Sequence, residues 1–149
     1  MRRYRYTESG LDNVIIENAD FIMDDSGEEV ICVPAVNLLH RTIAEGILRR
    51  KSRLSGPELR FLRTEMGLTQ DQLADLLHTS PDAVAQWEEG TARIEGAAET
   101  VLRLLASERL GIDLGERVET VARWSAPSSD SRPIVIRRTE DGYELENAA

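Results

Sequence analysis

Apolar residues along this 149-residue chain change their spacing as the chain proceeds. Near the start they come in short runs or alternate with polar residues. Tyr4-Arg5-Tyr6 alternates, and Asn13-Val14-Ile15-Ile16-Glu17, Phe21-Ile22-Met23 and Glu29-Val30-Ile31-Cys32-Val33 are compact apolar runs, the pattern of strands. Gly10 and Asp24-Asp25-Ser26-Gly27 supply turns between them, and Pro34 ends the strand region. From residue 35 to 50 the period changes. Val36, Leu39, Ile43 and Ile47 recur at three- and four-residue spacing, which predicts an amphipathic helix able to cover one face of a small sheet. Gly46 weakens that helix slightly without cancelling its apolar stripe.

The middle of the chain carries a series of helix boundaries. Ser55-Gly56-Pro57-Glu58 and Thr69-Gln70-Asp71-Gln72 are capping boxes, in which a hydroxyl and a carboxylate or amide three residues later each satisfy an orphan backbone N–H. Ser80-Pro81 places a capping hydroxyl before a proline whose missing N–H costs nothing at the first helical position. Gly67 and Gly90 are placed to end the helices that begin at Ser55 and Ser80. The inner faces read Leu59, Leu62 and Met66, then Leu73, Leu76 and Leu77, then Val84 and Trp87. A fourth helix, about residues 95–109, is expected to bury Ala98, Val101, Leu102 and Leu105. Beyond Gly111 the pattern weakens. Residues 125–131 read as a flexible linker, and Pro133-Ile134-Val135-Ile136-Arg137 with Gly142-Tyr143-Glu144-Leu145 predicts a hairpin. Two strands alone are marginal, so that hairpin needs a partner surface or stays mobile. The expected fold class is α+β. Residues 1–34 form a small β-rich subdomain, and 35–53 a connecting helix and basic segment. Residues 54–110 form an all-α helix-turn-helix domain, and 111–149 a linker with a C-terminal hairpin or tail.

Charge sharpens this division. The net charge is −9, the wrong sign for a nonspecific nucleic-acid coat. Residues 1–40 carry 3 basic and 8 acidic groups, 41–53 carry 5 and 1, 54–110 carry 5 and 10, and 111–149 carry 5 and 8. The one strongly basic stretch, with Arg49, Arg50, Lys51 and Arg53, directly precedes the helical domain, a position suited to phosphate contact. A single cysteine, Cys32, excludes an intramolecular disulfide framework and fits a reducing, cytoplasmic setting. The charged N-terminus is followed by no apolar run, unlike a signal peptide, and no stretch is apolar enough to span a bilayer. No phosphate loop, metal cluster or nucleophile with a matching base is present, so an enzyme is not expected, nor is any cofactor.

In order, Leu62-Arg63, Gly67-Leu68-Thr69-Gln70, Leu73-Ala74 and Val84 to Trp87-Glu88 with Gly90 resemble the lambda-repressor/Cro (Xre-type) helix-turn-helix family. That resemblance implies a lambda-repressor-like domain, with Arg63 and Glu88 as a buried structural ion pair. Gln70 would clamp a phosphate at a helix start. Thr79 and Ser80 would cap or meet phosphate, while Pro81, Asp82, Ala83 and Gln86 would face base edges. Gln86 is chemically able to pair bidentately with adenine, Asp82 to accept from cytosine N4, and Ala83 to touch a thymine methyl. Arg93 is placed to meet a phosphate. Trp87 reads as core, and His40 and His78 as ordinary helix-end or interface residues.

A second similarity extends over residues 4–110. Tyr4, Tyr6, Gly10-Leu11 and Asn13-Val14, followed by Leu54-Ser55-Gly56, Glu58-Leu59-Arg60 and Phe61-Leu62-Arg63, are similar to MqsA-like antitoxins. In such proteins the N-terminal β domain holds zinc through Cys-x-x-Cys pairs. Here the corresponding stretch reads Met23-Asp24-Asp25-Ser26-Gly27, so a metal-free N-terminal domain is expected. The resemblance implies a dimeric repressor on a palindromic operator in double-stranded DNA, autoregulating a toxin–antitoxin operon and partnered by a basic toxin. The alternatives are a stand-alone regulator with a ligand- or protein-sensing N-terminal domain, and a protein-interaction module with weak DNA binding. No membrane partner is expected.

Overall fold

The computed structural model describes residues 2–124 and 132–146, and the chain forms two compact units. One comprises residues 1–46 with 132–149, the other residues 47–131. The linker expected at 125–131 lies outside the described residues.

In the first unit, strands β1 (Arg3–Arg5), β2 (Val14–Glu17), β5 (Ile134–Thr139) and β6 (Gly142–Leu145) form one sheet in that order. The outer pairs are antiparallel, while β2 and β5 run parallel, with Val14 opposite Ile134 and Ile16 opposite Ile136. Those four side chains are buried, so the period-two alternation of both central strands points one apolar face inward. The C-terminal hairpin thus finds its partner surface in β2, and the N-terminal strands do not close a sheet by themselves. Helix α1 (Val36–Arg49) contributes Leu39, Ile43 and Ala44 to the same core. Gly46 has a packing reason to interrupt the apolar stripe: a Cβ there would lie 2.9 Å from Ile134 Cγ2. Tyr6 and His40 meet through a hydrogen bond of 2.9 Å, and the Tyr143 hydroxyl donates to the Pro34 carbonyl at 2.6 Å.

The apolar runs at 21–23 and 29–33 do not join this sheet. They form a separate two-stranded ribbon, β3 (Asp20–Met23) against β4 (Glu29–Cys32). Ile22, Met23 and Val30 are exposed on it, so Ile22 and Val30 are not the core residues that the apolar pattern suggests. At the ribbon's turn the Asp24 carboxylate accepts from the Ser26 hydroxyl at 2.6 Å and from the Ser26 and Glu28 N–H groups at 2.9 Å. The Ser26 hydrogen bond foremost, and then the backbone donors, hold the Asp24 carboxyl below the ordinary range. An aspartate thus ties this turn.

The second unit is helical. Its elements are α2 (Gly56–Glu65), α3 (Gln70–Leu76), α4 (Pro81–Glu89), α5 (Gly96–Leu110) and α6 (Val118–Ala122). Both capping boxes form: the Ser55 hydroxyl accepts from the Glu58 N–H at 3.2 Å while Glu58 accepts from the Ser55 N–H at 2.9 Å. Thr69 and Gln72 do the same at 3.1 and 2.9 Å. Leu59, Leu62, Leu73, Ala74, Val84, Leu102 and Ala106 are buried. The inner face of α5 differs from the apolar reading. Val101 is 48% exposed, whereas Glu99 and Arg103 are buried. Leu76 is exposed as well. Among the described residues no helix is long and apolar enough to cross a membrane.

Candidate nucleic-acid interface

Helix α4 begins where Ser80 leaves extended backbone, its hydroxyl accepting from the Ala83 N–H at 3.1 Å, with Pro81 at the first helical position. It ends at Gly90, which takes the left-handed conformation (φ 82°) that a side chain disfavours. The polypeptide then folds back, and the Thr91 and Ala92 N–H groups donate to the Gln86 carbonyl. Both ends of this two-and-a-half-turn helix are therefore fixed by hydrogen bonds. Its inward side carries Val84 and Trp87, both buried. Pro81, Asp82 and Gln86 are exposed, with Asp82 and Gln86 one turn apart on the same side. Ala83 is half-buried beside Val84, and Thr79 is half-buried in the turn before the helix. Glu89 is also exposed, so the solvent face of α4 presents an amide flanked by carboxylates.

Glu88 faces the other way. Its Oε2 accepts from Arg63 Nε at 2.6 Å and its Oε1 from Arg63 Nη2 at 3.0 Å, a bidentate pair between α2 and α4. The two side chains retain only 14% and 5% exposure. Arg63 Nη1 also donates to the Leu68 carbonyl at 2.9 Å. The Glu88 hydrogen bonds push the Arg63 guanidinium above its already high ordinary value, against the opposing effect of burial. Gln70, the first residue of α3, donates its amide to the same Glu88 Oε1 at 3.2 Å. One carboxylate thus ties α2, α3 and α4 together, and the start of α3 is fixed relative to α4.

The basic residues take different positions. Arg49 donates to the Asp113 carbonyl at 2.9 Å, Lys51 is exposed, and Arg50 and Arg53 are half-buried. Arg53 and the exposed Arg93, forty residues apart in sequence, line one open cavity of about 400 Å³, whose wall includes Leu59, Trp87 and Ile94. The structure therefore brings Arg53, at the end of the basic segment, and the loop after α4 to a common rim. His78 adopts φ 56° in the turn between α3 and α4, a conformation that strains a residue with a Cβ.

Sequence reading missed Glu99 and Arg103. Arg103 Nη1 donates to the Leu48 and Arg50 carbonyls at 3.0 Å each, and Nη2 donates to the Ser52 carbonyl and to Glu99 Oε1. The Leu54 N–H donates to Glu99 Oε1 at 3.1 Å. The available signal was a Glu and an Arg at i, i+4 within the largely apolar stretch 97–106 of α5.

Residues 59–117, less than half of the chain, match the family model described as helix-turn-helix. No curated protein and no solved structure matches the chain. The fold of residues 59–117 is that of an Xre/Cro-like helix-turn-helix domain.

Proposed function

We propose that this protein is a sequence-specific transcriptional repressor that binds a palindromic operator as a two-fold dimer, with α4 in the major groove. The observation that carries the reading is the division of α4 into two faces. Glu88 is locked to Arg63 and Gln70, while Asp82 in the first turn and Gln86 one turn further on stand exposed on the solvent side. Residues near the start of a recognition helix reach base edges when the preceding helix braces it against the backbone. Gln86 reads adenine and Asp82 accepts from cytosine N4, with Pro81, Ala83, Thr79 and Ser80 completing the approach. Gln70, Arg93 and the 49–53 segment meet phosphates. The acidic domain surface disfavours nonspecific association, leaving binding dependent on the few base contacts and on that basic segment. Selection of bound duplexes from a random-sequence pool tests the reading. Recovery of one inverted repeat, with half-sites about one helical turn apart, is expected; recovery of unrelated sequences overturns it.

An antitoxin role is a second reading, favoured by the β3–β4 ribbon. Its exposed and directly paired Ile22 and Val30 stand near Asp24, Asp25 and Glu28, while Asp20 and Glu29 are ion-paired with Arg138 and Arg2. An apolar patch with an acidic surround suits a basic protein, and unlike charges would speed the encounter. Co-expression with a basic protein encoded alongside tests this: salt-sensitive co-purification, lost in Ile22→Asp, is expected.

A further inference from the structure

We propose that Arg103 is a positioning residue for DNA: with Glu99 it fixes the backbone of residues 48–54 and so sets Arg49, Arg50, Lys51 and Arg53 for phosphate contact. This rests on the DNA-binding reading above.

A guanidinium has five N–H donors in a rigid planar fork. All five of Arg103's are used: two on the Leu48 and Arg50 carbonyls, one on the Ser52 carbonyl and two on Glu99 Oε1. The Leu48 carbonyl belongs to the last turn of α1, where carbonyls lack helical partners. Glu99 adds the Leu54 N–H on the far side of the segment. Four backbone groups between residues 48 and 54 thus converge on one ion pair whose side chains are each 1% exposed. A buried ion pair is a poor device for stability alone, since well-packed apolar residues of similar shape often serve as well or better. Apolar residues cannot, however, satisfy three carbonyls and an N–H. The pair's distinctive effect is to hold this backbone in one path over α5. That path carries four of the five basic residues between 41 and 53. A tethered but loose segment would lose entropy for each side chain ordered on DNA, and a fixed one has lost much of it already.

The test is a double-mutant cycle on the salt dependence of operator binding by the full chain. The slope of log K against log salt counts neutralised phosphates, and losing one lysine contact reduces it by about 1. Lys51→Gln, at an exposed side chain, should lower the slope by that amount in the native background and by less than half of it with Arg103→Lys. The lysine keeps the charge but has too few donors for the segment. The base discrimination lost in Gln86→Ala should survive in Arg103→Lys. Equal decrements from Lys51→Gln in both backgrounds would overturn the proposal, as would loss of Gln86-dependent discrimination in parallel with the slope. No effect of Lys51→Gln in the native background, with discrimination intact, would overturn the positioning role while leaving DNA reading in place. Failure to select any duplex would instead overturn the DNA-binding reading itself. If Arg103→Lys fails to fold by its melting curve, Glu99→Gln, which keeps the shape and removes the charge, takes its place in the cycle.

Discussion

The backbone at Gly56, the first residue of α2, packs directly against the carbonyl of Glu88 near the end of α4. A Cβ at Gly56 would lie 2.3 Å from that oxygen and 2.9 Å from the Trp87 carbonyl. Neither atom can swing aside as a flexible side chain could. Gly56→Ala is therefore expected to part the two helices and cost about 1–3 kcal/mol, the range for overpacking. Gly96 is the matched control, since it also opens a helix but has nothing within 4 Å of its would-be Cβ. Gly96→Ala should be neutral or stabilise by up to about 1 kcal/mol. Thermal or urea melts of the two variants check the contrast; equal effects would mean that the approach at Gly56 is not rigid.

The ion pair between Arg63 and Glu88 is nearly sealed from water. Removing one partner leaves a buried charge uncompensated, at a cost of about 3–5 kcal/mol. The remaining exposure of Arg63 places Glu88→Ala towards the lower end. Glu88→Ala also frees Gln70, so it should weaken binding to every operator variant. Arg63→Met with Glu88→Leu should cost clearly less than the two single changes together, as measured by denaturant melts. Strict additivity would show that the two groups act independently.

Much of the helical unit was legible in the sequence because its boundaries are written locally. Ser55, Thr69 and Ser80 each cap through a hydrogen bond spanning three residues, and Gly90 ends α4 by its own backbone preference. Long-range partners leave no such mark. Nothing in residues 133–145 says that Ile134 and Ile136 pair with Val14 and Ile16, since a parallel partner is set by packing across the whole fold. Ile22 and Val30 read as core by hydropathy, but two runs that pair only with each other leave one face uncovered. The candidate site divides the same way. Asp82 and Gln86 follow from their distance to the Ser80 cap. Arg103 does not, because its acceptors are backbone carbonyls fifty residues away and any residue supplies a carbonyl.

Glu58 should give the stability a distinctive pH dependence. Burial, the largest influence, raises its carboxyl above the ordinary range, although the Ser55 hydrogen bonds oppose this. The folded protein therefore binds the Glu58 proton more tightly than the unfolded chain does. Its contribution is fully present below the unfolded value of about 4.3 and is lost as pH rises through the raised folded value. Glutamine keeps an oxygen for the Ser55 N–H without the buried charge. Glu58→Gln should thus match or exceed the parent's stability at neutral pH, and that advantage should shrink as pH falls towards 4. Denaturant melts from pH 4 to 8 check the sign; an advantage that grows with acidity would contradict the burial argument.

Gln86 and Gln70 have the same side chain but are expected to fail differently when shortened. Gln86 is exposed on α4 and shares its face with Asp82, so its amide is available to a base edge. Gln86→Ala should cost about 1–3 kcal/mol at one base pair in each half-site and leave variants already mismatched there almost unaffected. Gln70 opens α3 and is oriented by Glu88, which suits a phosphate contact that carries no sequence information. Gln70→Ala should weaken all operator variants by a similar factor. Titrating both variants against the parent operator and its single-base substitutions at fixed salt separates these outcomes. A uniform loss for Gln86→Ala would remove it from the base-reading set. A position-specific loss for Gln70→Ala would place α3, rather than α4, in the groove.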